Sequence, residues 1–214
     1  MEELIDEISE PGFLQKKFGF PSSTSMQIDK LVIGGHSFGG LTALSCAEKD
    51  DRIKVVFTFD PWIWTRNEDI LEGQFQTFQP MIHVLTEGFG PICEKHFFYD
   101  TNESMNHLLK QSKTDVHELI VLKETNHYHQ TDAICIVPME VCIKSSNKPH
   151  INVSEIYLLN THVVMLFLHK NGIPACVDFN KLNERVKRFE SKFLNYKLKY
   201  NIEQNRVAYE LDDH

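Results

Sequence analysis

The chain has 214 residues, and its 30 acidic side chains outnumber 22 basic ones to give a formal net charge of −8, a balance that argues against nucleic acid as a partner. Apolar residues make up 42% and charged residues 24% of the chain, close to average globular usage, which excludes disordered, collagen-like and disulfide-scaffold classes. We predict a short amphipathic helix up to about Phe18, followed by alternating strands and helices. The strands are expected over residues 28–33, 53–59, 80–85 and 116–122, and the helices over 41–48, 101–111, 153–170 and 181–204.

Strands separated by helices are typical of βαβ units, so the predicted fold class is α/β with a mostly parallel sheet. Five cysteines without a C-x-x-C pair indicate a reduced compartment. The acidic first residues do not resemble a signal peptide, and the most apolar stretch is too short to span a bilayer. The cytoplasm is therefore favoured for the chain as written, with secretion left open should the true N-terminus lie upstream.

The segment Gly35-His36-Ser37-Phe38-Gly39 matches the pattern G-x-S-x-G. An apolar strand precedes it and a helix follows, which is the context of a nucleophile elbow, the sharp turn that presents a serine hydroxyl above a sheet. We expect the glycines to be required because a Cβ at the flanking positions would collide with the neighbouring strand or helix. A Gly-rich turn with an incidental serine or a phosphate-binding loop is the alternative, but the sequence lacks the lysine of a P-loop.

The elbow predicts a carboxylate and a histidine later in the chain, because a serine hydroxyl needs a base to become a good nucleophile. Asp60 ends the next predicted strand, and Glu87 follows the strand after that. Such sites are built at the carboxyl ends of parallel strands. Position alone does not separate these two acids.

The base is expected after the last predicted strand, where the run Asn126-His-Tyr-His-Gln130 contains both His127 and His129. A pair spaced H-x-H can also bind metal. No third ligand with recognisable spacing follows it in the sequence, so we expect neither a metal nor another cofactor. His83 within a strand and His162 within an apolar helix are interpreted as core histidines.

Three segments together resemble the platelet-activating factor acetylhydrolase family, the serine-dependent, calcium-independent phospholipases A2 of α/β-hydrolase fold. They are Ile33-Gly-Gly-His-Ser-Phe-Gly-Gly40, Phe59-Asp-Pro-Trp62 and His129-Gln130, in the order of that family's elbow, acid and base motifs. The family's acid follows the strand after the elbow. The resemblance therefore favours Asp60 over Glu87, and the H-Q match favours His129 over His127.

By this resemblance Ser37 attacks the acyl carbonyl, His129 transfers the proton and Asp60 orients the imidazole. The backbone N–H of Phe38 would be one oxyanion donor. The implied activity is hydrolysis of a short or oxidised acyl ester at the sn-2 position of a phospholipid, of the 1-alkyl-2-acetylglycerophosphocholine esterase type. A general carboxylesterase is an alternative.

The elbow lies close to the start of this chain, whereas in α/β-hydrolases it follows the fifth strand. We therefore expect residues 1–178 to form the C-terminal portion of such a domain, with an insertion near 87–99, and residues 179–214 to form a basic amphipathic helix and tail. That helix carries seven basic against two acidic residues between 181 and 199, a charge suited to an anionic membrane, although packing on the domain is favoured. Trp62 and Trp64 are candidates for a lipid-facing rim.

The second oxyanion donor of this fold comes from a loop after the third strand, which the expected C-terminal portion does not contain. The competing hypothesis is therefore a catalytically silent fragment or an interaction protein that keeps the triad residues without a complete oxyanion hole.

Overall fold

The central sheet contains four parallel strands in the order β1-β2-β3-β4, which are Val32–His36, Val55–Phe59, Met81–Thr86 and His117–Leu122. This computed structural model describes residues 2–132, 153–174, 177–193, 198–201 and 206–209. The predicted α/β class with a parallel sheet is confirmed. Because all four strands run in one direction, their carboxyl ends lie along a single edge of the sheet.

Helices cover the sheet and form the connections between its strands. Those before and between the strands are α1 (Glu2–Ser9), α2 (Phe13–Phe18), α3 (Phe38–Lys49), α4 (Asn67–Leu71), α5 (Phe89–Phe97) and α6 (Thr101–Gln111), and those after the sheet are α7 (Val153–Lys170) and α8 (Phe179–Phe193). Short 3₁₀ turns occur at Ile28–Lys30, Trp64–Arg66 and His127–Gln130. Among the described residues no helix is both long and apolar enough to cross a membrane.

The sheet has an apolar core on each face, because successive residues of its strands point to opposite sides and both sets are apolar. One cluster, shared with α3 and α6, includes Leu44, Val56, Met81, Leu85 and Leu108. The other lies beneath α7 and includes Val55, Ile82, Val84, Ile156 and Phe167. Complete burial of one such side chain contributes about 1.5–3 kcal/mol, so the two layers hold the strand ends in fixed positions.

The first strand differs from its predicted bounds. The strand predicted over 28–33 begins at Val32 and continues to His36, because Ile28–Lys30 forms a 3₁₀ turn closed by a hydrogen bond from the Leu31 N–H to the Ile28 carbonyl. Residues 87–99 contain helix α5, and the insertion expected there stays a prediction. The strand therefore ends one residue before Ser37.

The last predicted helix is shorter than expected. It runs from Phe179 to Phe193, and the chain then forms strand β5 (Leu198–Asn201), which pairs antiparallel with β6 (Arg206–Tyr209). The prediction of helix up to residue 204 is wrong for 198–201, because ladder hydrogen bonds between the two strands satisfy the backbone there; residue 204 itself lies outside the described part. The domain division at 178/179 stays a prediction.

Candidate active site

The nucleophile elbow connects β1 directly to α3. Ser37 has φ 57° and ψ −124°, and positive-φ conformations of this kind cost a residue other than glycine about 1–3 kcal/mol. Backbone hydrogen bonds hold it there: the Ser37 N–H donates to the Phe59 carbonyl, and the Ser37 carbonyl accepts from the N–H groups of Gly40 and Trp62, each at 2.9 Å. The sheet thereby fixes the strained turn that carries the hydroxyl.

Glycines beside Ser37 allow the strand and the helix to approach each other. A Cβ on Gly35 would lie 2.2 Å from the Gly39 carbonyl oxygen, and a Cβ on Gly40 would lie 2.9 Å from Pro61. The predicted collision is therefore confirmed at these two positions. At Gly39 an added Cβ would meet no described atom within 4 Å, so the expectation was wrong for that glycine.

Asp60 lies at the end of β2, completely buried and with φ 42°. One carboxylate oxygen accepts a hydrogen bond from the Thr86 N–H and the other accepts one from the Thr86 hydroxyl, both at 2.6 Å. Burial raises the pKa of the Asp60 carboxyl, whereas the hydrogen bonds with His127 and Thr86 favour its charged form and oppose that rise. The last residue of β3 therefore orients the acid at the end of β2.

His127 connects the other two residues. Its Nε2 lies 3.0 Å from the Ser37 Oγ, and its Nδ1 lies 3.2 Å from the Asp60 Oδ2. A neutral imidazole that donates from Nδ1 to a carboxylate has its Nε2 lone pair available to the serine hydroxyl. The arrangement can therefore transfer a proton away from Ser37.

The expectation that His129 would face Ser37 is corrected by this geometry, because His127 occupies that position. His129 is buried, and its Nδ1 accepts a hydrogen bond from the Asn126 N–H at 3.0 Å, closing a capping box at the start of the turn His127–Gln130. Burial lowers the pKa of His129. The spacing gave a usable signal: an Asn N-cap draws the residue three positions later back towards itself, which leaves the first residue of the turn to project outwards.

Glu87, the alternative acid, lies outside this arrangement. Its side chain is exposed, and its carboxylate accepts a hydrogen bond from the Glu124 N–H at 2.7 Å. Glu124 has φ 59°, so the bond supports a strained residue in the loop that carries His127. The structure thus places Glu87 as an anchor of that loop.

Phe38 supplies the first backbone N–H of α3, directly after Ser37. The first N–H groups of a helix have no acceptor within the helix, so this group is available to an oxygen bound at Ser37. The Phe38 side chain is 56% exposed and contacts Trp62, with the ring centroids 6.2 Å apart. Trp62 in turn stacks on Trp64, and both contact Phe97. An aromatic cluster of these four rings, Phe38, Trp62, Trp64 and Phe97, therefore borders the serine.

A metal is poorly accommodated among the same side chains. His36, Asp60 and His127 place ligand-type atoms within 4.8 Å of one another. The rings of His36 and His127, however, pack against each other with centroids 4.3 Å apart and an interplanar angle of 32°. Both nitrogens of His127 also have partners already. The geometry favours proton transfer over metal binding.

The other two predicted histidines lie in the core. His83 on β3 is fully buried, and its Nδ1 is 2.7 Å from the Thr58 hydroxyl. Burial lowers the pKa of His83 to about 3. His162 on α7 is also buried, and its Nδ1 bonds to the carbonyl of Leu158 within the same helix. Neither contacts Ser37 or Asp60 in the described structure.

A family model described as platelet-activating factor acetylhydrolase, isoform II, matches residues 13–193. The match extends from α2 to the end of α8 and includes Ser37, Asp60 and His127. It supports, in general terms, a hydrolase that acts on phospholipid esters, and it confirms the resemblance drawn from the motifs. The chain belongs to the platelet-activating factor acetylhydrolase family.

Proposed function

We propose that the chain hydrolyses a short or oxidised acyl ester at the sn-2 position of a phospholipid, through an acyl-enzyme formed on Ser37. One observation carries the proposal: the continuous hydrogen-bonded series from Ser37 through His127 to the buried Asp60, which follow the carboxyl ends of β1, β4 and β2. A serine, a histidine and a carboxylate in this geometry are the components of a serine hydrolase, whatever fold carries them.

The first half of the reaction acylates the serine. As the Ser37 Oγ bonds to the ester carbonyl carbon, its proton passes to the Nε2 of His127, and the carbonyl oxygen takes on negative charge. When the tetrahedral intermediate collapses, the carbon–oxygen bond to the glycerol breaks. The imidazolium of His127 returns the proton to the leaving oxygen, which releases a lysophospholipid.

Deacylation repeats the sequence with water. His127 accepts a proton from water as the water oxygen attacks the acyl carbon, and the proton returns to Ser37 Oγ as the carboxylic acid leaves. Asp60 stays at the Nδ1 of His127 throughout, where it fixes the tautomer and stabilises the imidazolium. The two bonds from Thr86 hold its charge in place.

The backbone N–H of Phe38 is the proposed donor to the oxyanion. It belongs to the residue after the nucleophile and to the N-terminus of α3, where the partial positive charge of the helix favours an anion. Removal of one donor from such a site lowers kcat by about 10²–10³ in a known case. The acylation rate therefore indicates whether the oxyanion has all its hydrogen-bond donors.

The aromatic cluster supports a lipid substrate. Phe38 and Trp64 are 56% and 47% exposed, so both rings present apolar area to the solvent. Aromatic rings offer apolar area with a specific shape to alkyl chains. In this proposal the cluster forms a rim that contacts the alkyl chains of the phospholipid. The short acyl group at the sn-2 position is the part that reaches Ser37.

The test is steady-state hydrolysis of an sn-2 acetyl phospholipid, a long-chain sn-2 phospholipid and a soluble aryl acetate. We expect the acetyl phospholipid to have the highest kcat/KM and Ser37→Ala to lose activity on all three. Ser45→Ala, a serine on the same helix α3, is the matched control and should retain wild-type rates.

Three results would contradict the proposal. Equal activity of Ser37→Ala and the wild type would exclude the nucleophile, and a preference for the soluble aryl ester would favour a general carboxylesterase. A folded wild-type protein that hydrolyses none of the three esters would favour a non-enzymatic interaction protein.

A further inference from the structure

The imidazole of His127 packs against two other rings. The ring of His36 is tilted against it, with centroids 4.3 Å apart and an interplanar angle of 32°. The ring of Phe89 is stacked on it, with centroids 4.4 Å apart and an angle of 12°. Hydrogen bonds to Asp60 and Ser37 define the directions of the two nitrogens, but the two flanking rings define the plane in which those nitrogens lie.

His36 belongs to the central sheet. It is the last residue of β1, paired in register with Phe59 of β2, and it directly precedes Ser37. The side chain that borders His127 is therefore continuous with the backbone that carries the nucleophile. His127, in contrast, lies on a 3₁₀ turn after β4, and 90 positions separate it from Ser37. The contact between the two rings therefore helps to fix the position of that turn relative to β1.

The ring of His36 matters here more than its polar atoms. Its Nε2 is buried and has no hydrogen-bond partner among the described residues. A buried polar atom without a partner disfavours the folded state. The Nε2 atom therefore gives no reason for a histidine at this position. The ring of His36 packs against the ring of His127, and the imidazole also hydrogen-bonds to the His127 main chain.

We propose that His36 is a positioning residue, whose ring forms with that of Phe89 a clamp that keeps His127 in the plane joining Ser37 to Asp60. The inference rests on the proposed function, since His127 is the proposed base. It assigns to the histidine of the elbow motif a role that the three hydrogen-bonded residues do not fill.

The charge of His36 fits this role. Burial, and secondly the charge of His127, lower the pKa of His36 to about 4, although an interaction with the His127 main chain opposes this. At neutral pH the clamp is therefore uncharged. It does not repel the imidazolium that forms when His127 takes the proton of Ser37.

Two substitutions of His36 distinguish the effect of its flat ring from the effect of its side-chain volume. His36→Leu keeps a similar apolar volume but removes the flat ring, and we expect kcat for the acetyl ester to fall about 10- to 100-fold, the range that a displaced catalytic group produces, with KM within about twofold. His36→Phe keeps the ring and should stay within about threefold of the wild type. His107→Leu, a half-buried histidine on α6 outside the site, is the control and should leave both constants unchanged.

A second measurement does not depend on turnover. NMR of the His127 ring protons should show an upfield ring-current shift in the wild type and in His36→Phe, with a large part of it lost in His36→Leu. Should the wild type lack esterase activity while this pattern holds, the clamp stands and the proposed function fails. An unchanged His127 signal in His36→Leu would overturn the clamp, as would an active protein in which His36→Leu matches the wild type or His36→Phe is as defective as His36→Leu.

Discussion

The Nε2 of His127 lies 3.0 Å from the Oγ of Ser37, although the two residues leave strands at opposite edges of the described sheet. Ser37 follows β1 and His127 follows β4, so three strand spacings of about 4.8 Å each, roughly 14 Å, separate the two strand ends. The loop after β4 must therefore cross the ends of β3 and β2. Hydrogen bonds from Glu124 to Glu87 and from Gly88 to Thr125 hold it on that path.

This path assigns different roles to the two candidate acids. Asp60→Asn should lower kcat by about 10⁴, the loss seen when the corresponding acid of a serine protease becomes an amide. Glu87→Gln keeps an acceptor for the Glu124 N–H, so we expect less than about a threefold change. Steady-state kinetics on the acetyl ester distinguishes them, and a loss at Glu87 comparable to that at Asp60 would reject the assignment of the acid.

The elbow glycines provide a sterically matched pair. Gly35→Ala would place a Cβ 2.2 Å from a backbone oxygen that cannot move independently, whereas Gly39→Ala meets open space among the described residues. We expect Gly35→Ala to be insoluble or destabilised by more than about 3 kcal/mol, at the upper end of single-substitution effects. The free energy of unfolding of Gly39→Ala, measured by urea denaturation, should lie within about 1 kcal/mol of the wild-type value. A reversed order of the two variants would contradict the described packing of β1 against α3.

Because His83 is buried, we expect the protein to lose stability in mild acid. Its pKa is about 3 in the folded state and 6.5 ordinarily, so between these values the unfolded chain binds a proton that the folded chain does not. The free energy of unfolding therefore falls as pH falls below 6.5, by up to about 1.4 kcal/mol per pH unit from this residue. His36, with a pKa of about 4, adds to the effect in the same direction.

The measurement is urea denaturation of the wild type and of His83→Gln at pH 7, 6 and 5. Glutamine retains a partner for the Thr58 hydroxyl and does not titrate in this range. The substituted protein should therefore show a shallower dependence on pH, by about 1 kcal/mol per pH unit. Parallel curves for the two proteins would show that His83 is not the group responsible.

Much of the fold and part of the site could be predicted from the sequence, for a local reason. The strands leading to Ser37 and Asp60 are short apolar runs followed by Gly or Pro, and strand-end placement follows from the parallel arrangement alone. The choice between His127 and His129 depends on how the turn is capped by Asn126 and on how the loop crosses the sheet. The Asn126 cap is a local contact with a sequence signal, but the path of the loop depends on tertiary contacts, about which an H-x-H spacing carries no information.

The C-terminal region shows the opposite limit. The apolar spacing after residue 181 continues beyond the point where α8 ends, so periodicity alone predicted too long a helix. Pairing between β5 and β6 determines the structure of 198–201, and strand formation that depends on such pairing leaves a weak pattern in the sequence of either strand alone. The contacts of Thr86 with Asp60 could likewise not be predicted from a motif, because a threonine at a strand end has no distinctive spacing.

The central claim is that His127, and not its neighbour two positions later, is the base for Ser37. The most direct test is kcat for the acetyl ester in His127→Gln and His129→Gln. Glutamine suits the N3 position of a capping box, so His129→Gln should stay within about fivefold of the wild type, whereas His127→Gln should lose at least about 10³-fold. A severe loss in His129→Gln with near-normal activity in His127→Gln would contradict the account.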